Sequence, residues 1–367
     1  MAASLIRPFY ESDIAAVADL HRRMFRVAGQ LTPELLSAYR HYFRAVFLEH
    51  PWRDTPLNSL VCEEDGRITG FLAVVPRPLR FKGRPKLAAL ATKFMADPDS
   101  RSMAGIRLLQ ACMQGPQDLT FADEATDLTR RMWETVGGRT AYCHSMRWLS
   151  ILRPFQLVCR KTPGVARVAG LARPVTLLLD SAAAALPRSP FARPRAGEVI
   201  GLPLDPAQID TLPGNTNAAI VPAYSRDAFD WIWRRISTFG ALNGTLQAIR
   251  VVSPDGAAAG CFLYHLSLKG VSRVVCFHAQ PGRQHDVLAH LFQHAWANGG
   301  LAIGGRIPPR CQDAFARARC ALDGEHRWFL VQSRQQELVD AIRSGDGELS
   351  AFDGEWSTRF NRHSPSG

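Results

Sequence analysis

The strongest constraint on this chain lies in residues 86–113, KLAALATKFMADPDSRSMAGIRLLQACM: an apolar run, an acidic and proline-bearing break, then an amphipathic pattern. Leu87, Leu90, Ala91, Phe94 and Met95 predict a buried or half-buried strand. Asp97, Pro98, Asp99 and Ser100 end it, because proline cannot donate to a ladder and Asp and Ser supply turn hydrogen bonds. Ile106, Leu108, Leu109, Cys112 and Met113 then recur at helical spacing, which puts Arg101, Ser102, Met103 and Ala104 at the start of a helix. The first turn of a helix carries N–H groups with no acceptor inside the helix. Small residues at Ser102, Ala104 and Gly105 let a ligand approach those groups, and Arg101 adds a fixed positive charge, a combination that suits a diphosphate.

The flanking sequence falls into a regular series. Residues 5–9 predict a strand, Glu11, Ser12 and Asp13 cap a helix running to Phe25, and a second helix covers 34–49. Runs at 59–64 and 67–75 flank Asp65-Gly66, a hairpin signal, and Lys82-Gly83 turns the chain into the strand at Lys86. A strand at 119–122, a helix at 125–136 stopped by Gly137-Gly138, and a strand at 140–152 complete the first half. The second half repeats the plan. Asp255-Gly256 with Gly260 matches Asp65-Gly66 with Gly70, and Lys269-Gly270 mirrors Lys82-Gly83. Strands at 271–279, 301–307 and 327–331 and helices at 285–298 and 310–319 follow in the corresponding order. With 367 residues available, the expected organisation is a first domain over 1–152, a connector over 153–213, a second domain over 214–360 and a tail over 361–367.

The formal charge of +11 raises the question of nucleic acid. Its distribution argues against that partner: between residues 151 and 200 eight basic residues face Asp180 and Glu198, so more than half the excess sits in one segment that also holds six prolines. A solvated basic linker accounts for it, and Phe155, Leu157, Val158, Val165, Val168 and Leu171 leave a smaller case for peripheral contact with an anionic membrane. The eight cysteines form no CxxC pair and read as core thiols. His290 and His294 have metal-ligand spacing without a third ligand nearby, so no metal is expected. No run of 18 uncharged apolar residues occurs and acids come early in the N-terminal stretch, which points to the cytoplasm.

The strand, turn and helix at residues 86–113, set in that order of elements, resemble the acyl-CoA site of the GNAT superfamily of N-acyltransferases. The family pattern there is Arg or Gln, two residues, Gly, one residue, then Gly or Ala; Arg101 matches the first position, Ala104 stands at the first Gly and Ile106 at the last small residue. The resemblance covers residues 4–152, and the repeat implies a second, degenerate GNAT-like copy whose turn at 282–287 lacks the small residues a diphosphate needs. It implies an α/β architecture of two mostly antiparallel sheets flanked by helices. It further implies an acetyl-CoA or other acyl-CoA co-substrate held by Phe94, Met95, Ala96, Arg101, Ser102, Met103, Ala104, Gly105 and Ile106, with transfer to an amine. A non-catalytic binding or regulatory protein of the same fold is the alternative, motivated by Ala104, Ile106 and Trp133, which stands where family members often carry a proton-donating Tyr. For a base, Asp123 and Glu124 end the strand at 119–122, where open α/β sheets gather ligands, although either acid could simply cap the next helix. His144 on the predicted last strand is a further candidate, or a satisfied structural histidine.

Overall fold

The computed structural model describes residues 4–25, 30–98, 103–162, 173–186, 189, 191–192, 197–207, 217–238, 244–322 and 327–360. Arg101 and Ser102 lie outside the described residues. The first half runs β1 (Ser4–Pro8), α1 (Ile14–Met24), α2 (Pro33–Phe43), β2 (Leu60–Glu64), β3 (Arg67–Phe81), β4 (Arg84–Ala96), α3 (Ala104–Met113), β5 (Leu119–Ala125), α4 (Asp127–Thr135), β6 (Arg139–Thr140), a one-turn α5 (Tyr142–Ser145) and β7 (Arg147–Ile151). Two helices follow, α6 (Pro154–Lys161) and α7 (Arg173–Ala185). The rest is β8 (Ile200–Pro203), β9 (Ile220–Pro222), α8 (Arg226–Ser237), β10 (Thr245–Val252), β11 (Ala258–Leu266), β12 (Val271–Ala279), α9 (Gln284–Ala297), β13 (Ala302–Arg306), α10 (Gln312–Arg317), β14 (Ala321–Leu322), β15 (Trp328–Gln332) and α11 (Gln336–Arg343).

Both hairpin turns of the first half have two consecutive left-handed residues, Asp65-Gly66 (φ 48° and 76°) and Lys82-Gly83 (φ 48° and 79°). That is the geometry whose twist matches paired strands, and it fixes the register of β2, β3 and β4.

The strands build two mixed sheets; the first takes β9 and β15 from the second half of the chain, and the second takes β7 from the first half. The first has the order β1-β2-β3-β4-β5-β15-β6, with β9 on the far end of β3; the second has the order β14-β7-β13-β12-β11-β10-β8. Within each, one neighbouring pair is parallel, β4 with β5 and β12 with β13. The exchange is visible in the register: Trp328 pairs with Ala125 and Gln332 with Thr120, while Ile151 pairs with Ala302 and Arg147 with Arg306. Burial explains why these strands are central. Phe329 and Val331 enter one core and Leu330 the other, and the Phe329 ring stacks on Phe121 at 5.7 Å. Trp148 on β7 packs between Phe292 and Phe315 in the core of the second sheet.

One expectation changes. Residues 140–152 are not one strand: Ser145 Oγ donates to the Ala141 carbonyl and accepts from the Phe329 amide, closing a helical turn between β6 and β7. The region between the sheets contains an α-helical pair, with Asp180 of α7 accepting from the backbone N–H groups of Phe155 and Gln156 at the start of α6.

Candidate active site at the parted strands

β4 and β5 are paired only over Ala88–Leu119, Ala89–Thr120 and Leu90–Phe121. Beyond that point a bulge turns β4 away. Phe71 faces Met95 and Ala73 faces Thr92, so Lys93 and Phe94 stand against the single residue Leu72, and Lys93 takes a left-handed φ of 48°. β5 stays paired with β15 as far as Ala125, across a register shift between Trp328 and Leu330. The strands part into a V-shaped seam, and the edge of β4 from Ala91 to Ala96 has no ladder partner in β5.

α3 lies on one face of the seam. Ala104 is buried, and a Cβ at Gly105 would stand 2.6 Å from Met132 Cε and 3.0 Å from Phe94 Cζ. The small residues at these two positions therefore serve close packing of α3 on β4 and α4. What α3 offers a ligand is its backbone amino end, approached through Met103 in a left-handed conformation (φ 52°). Of the expected cofactor residues, Met95 is buried, Phe94, Ala96 and Ile106 are half-buried and Met103 is 70% exposed.

The other face is crossed by residues 346–360, which run from β9 across the second sheet to the first. Glu355 N–H donates to Asp123 Oδ1 at 2.8 Å, and Thr92 Oγ1 donates to Glu355 Oε2 at 2.8 Å. The Tyr42 hydroxyl donates to the Thr358 carbonyl at 2.6 Å. Arg77, buried between Trp52 and Trp231, gives Nε to the Asp353 carbonyl and Nη2 to Ser357 Oγ, each at 2.8 Å. Gly354 sits so close to Asp123 that any Cβ there would strike its carboxylate. This strap places Glu355 in the seam.

Around Glu355 the charges are dense. Burial raises the Glu355 carboxyl, Lys93 opposes the rise and Asp123 adds to it, leaving it pushed up to about 7. Burial acts on Glu124 in the same sense, but Arg147, Arg306 and Arg359 outweigh it and hold that carboxyl below its usual range. Arg147 stands 3.1 Å from Glu124, and Arg306 Nη2 reaches both the carbonyl and Oδ2 of Asp123, at 2.7 and 2.8 Å.

Asp123 and Glu124 thus sit together at the seam, with Asp123 fully engaged in holding Glu355 and Arg306. His144 lies apart on α5, fully buried, its ring 5.0 Å from Phe329; burial, then Arg306, lowers it to about 3, so it is neutral. Trp133 is buried in the core beneath α4 and presents nothing to the seam. Sequence reasoning passed over Glu355: FDGEWST reads as loop. The available signal was an acid between a glycine and a tryptophan close to the end of the series of elements.

The second sheet has its own seam. β12 and β13 pair over Val271–Ala302, Ser272–Ile303 and Arg273–Gly304, then part after a register shift at Leu263/Tyr264. A cavity of about 790 Å³ opens there. The strap crosses it too, with Phe352 N–H donating to the Val275 carbonyl.

Two mixed sheets of eight and seven strands, each opened at its one parallel pair, give the fold of solved GCN5-related N-acetyltransferases. Solved structures agree at the level of the fold. The chain is similar to a probable N-acyltransferase from Enterococcus faecalis (TM-score 0.56, 10% identity, 90% of this chain and 73% of that one). It is similar also to a GCN5-related N-acetyltransferase from Anabaena variabilis (0.55, 11%, 91% and 74%) and to Eis1 from Mycobacterium abscessus (0.52, 12%, 93% and 76%). No protein-family model and no curated protein matches the sequence.

Proposed function

We propose that the chain is an acyl-CoA-dependent N-acyltransferase whose first seam holds the acyl donor and whose base is Glu355. The observation that carries this reading is the position of Glu355: a carboxyl poised at about 7 that accepts from Thr92 on one strand of a parted pair, on a residue whose backbone N–H Asp123 of the other strand anchors. The free edge of β4 at residues 91–96 fits an extended pantetheine arm, and the amino end of α3 fits a diphosphate. An acyl-CoA bound so would supply a thioester carbonyl beside Glu355. A neutral amine then attacks the carbonyl carbon. As the C–N bond forms and the C–S bond breaks, the nitrogen gives its proton to Glu355, the thiolate is protonated in turn, and amide and free thiol leave. Alignment of amine and carbonyl is the main contribution, up to ~7–11 kcal/mol in favourable cases. In the second copy, Asp286 stands in the first turn of α9, where its charge opposes a diphosphate, so one donor per chain is expected.

A non-catalytic acyl-CoA-binding protein is the second reading, favoured by the burial of Trp133 where a proton donor would stand. Amide formation from acetyl-CoA, followed by mass spectrometry with wild type and Glu355→Gln, separates the two: turnover lost in the variant supports the enzyme. Binding without turnover by wild type on any amine supports the binding protein.

A further inference from the structure

The cavity at the second seam is lined by Leu263, Val274, Phe277 and Phe352 together with the charged side chains of Arg80, Arg310, Glu348 and Asp353, and two further lining residues each carry a buried polar atom with no partner among the described residues. One is Nη1 of Arg306, whose side chain is 9% exposed; the other is Nε2 of His278, whose Nδ1 is held 3.3 Å from Glu348. Arg306 is the link between the two seams. Its Nη2 holds Asp123 in the first, and the residue also lines the cavity of the second, with Nη1 buried behind it. A buried guanidinium N–H without a partner calls for an oxyanion, since an unmet charged donor costs more than a neutral one. Local charge points the same way: Lys93, Arg147, Arg306 and Arg359 gather about Asp123, Glu124 and Glu355.

We infer that this cavity is the acceptor site and that the acceptor is an apolar α-amino acid, its carboxylate on Arg306 Nη1, its side chain in the cavity and its α-amine directed to the first seam. The inference rests on the proposed acyl transfer and narrows its substrate. The carboxylate and α-amine of an amino acid are separated by a single carbon. A carboxylate on one arm of Arg306 therefore brings the amine beside Asp123, held by the other arm, and Glu355, which Asp123 anchors.

The test uses the full chain, acetyl-CoA, and three L-amino acids (leucine, phenylalanine, methionine) against the amines left by removing their carboxylates, with product followed by mass spectrometry. Amino acids are expected to exceed their decarboxylated partners in kcat/KM by ~100-fold or more, as for a site that loses a buried polar contact. Arg306→Gln should erase that ratio. Because Arg306 also supports Asp123, a second variant is needed: Phe277→Trp should fill the cavity and raise the KM for the amino acid while leaving the affinity for acetyl-CoA unchanged. Equal rates for amines and amino acids, or no amino acid acetylated by a chain that binds acetyl-CoA, would overturn the inference alone. Failure to bind acetyl-CoA at all would overturn the acyl-transfer reading beneath it.

Discussion

Thr92 Oγ1 donates a 2.8 Å hydrogen bond to Glu355 Oε2, joining the bulged fourth strand to a residue 263 positions later. The bulge that parts β4 from β5 and the strap that delivers the carboxyl thus meet at one contact, so the acid is held by the strand whose departure creates the seam.

Replacing Glu355 by Gln keeps an acceptor for Thr92 but removes the base. The expected loss in kcat/KM is ~10²–10⁴-fold with acetyl-CoA affinity retained. The wild-type rate should rise with pH through about 7, as the raised carboxyl ionises, and the variant should lose that inflection. Steady-state kinetics across pH 5.5 to ~8.5 check this.

Asp353 is buried and accepts from the Ser350 amide and hydroxyl and from the Tyr224 hydroxyl; burial pushes it up to about 7. A carboxyl with a raised folded pKa binds its proton more tightly folded than unfolded, so its ionisation opposes folding. The penalty is absent below the unfolded value near ~4 and is complete above about 7. Asp353→Asn should therefore gain in Tm relative to wild type as pH rises through that window, measured by calorimetry.

Arg77 holds the strap on both sides of Glu355. Arg77→Met leaves the Asp353 carbonyl and Ser357 hydroxyl without their donor and should cost about 2–4 kcal/mol in urea unfolding. Activity should fall further than the folded fraction does, because Glu355 loses its position.

Gly354→Ala places a methyl against the Asp123 carboxylate. It should lower kcat by ~10-fold or more while altering Tm by only a few degrees, equivalent to ~1–2 kcal/mol. A silent substitution would mean that the strap does not set the base.

The exchange of β7 and β15 predicts that neither half folds alone. Residues 1–152 would lack the strand between β5 and β6, leaving two unpaired edges and an uncovered Phe121. Circular dichroism of that fragment should show no cooperative melt.

Local chemistry made much of the fold legible. Asp65-Gly66 adopts the left-handed pair its residues favour, Lys82-Gly83 adopts the same pair with Gly83 supplying the preference, and the break at Asp97-Pro98 precedes α3. The strand exchange was not legible, because a buried run such as Trp328–Gln332 has the same pattern whichever sheet receives it. Residues 140–152 misled because Thr140, Tyr142 and Cys143 favour strand, while the turn at Ser145 depends on a bond to Phe329 far along the chain. At the seam, Asp123 and Glu124 were visible as acids ending a strand. Glu355 was not, since its significance comes from the strap's path across both sheets and not from its neighbours in sequence.

The most direct measurement is isothermal titration with acetyl-CoA of wild type and Glu355→Gln, with amide formation followed on the same samples. The account predicts micromolar binding to both proteins and turnover by wild type alone. No binding to either, or equal turnover by both, would contradict it.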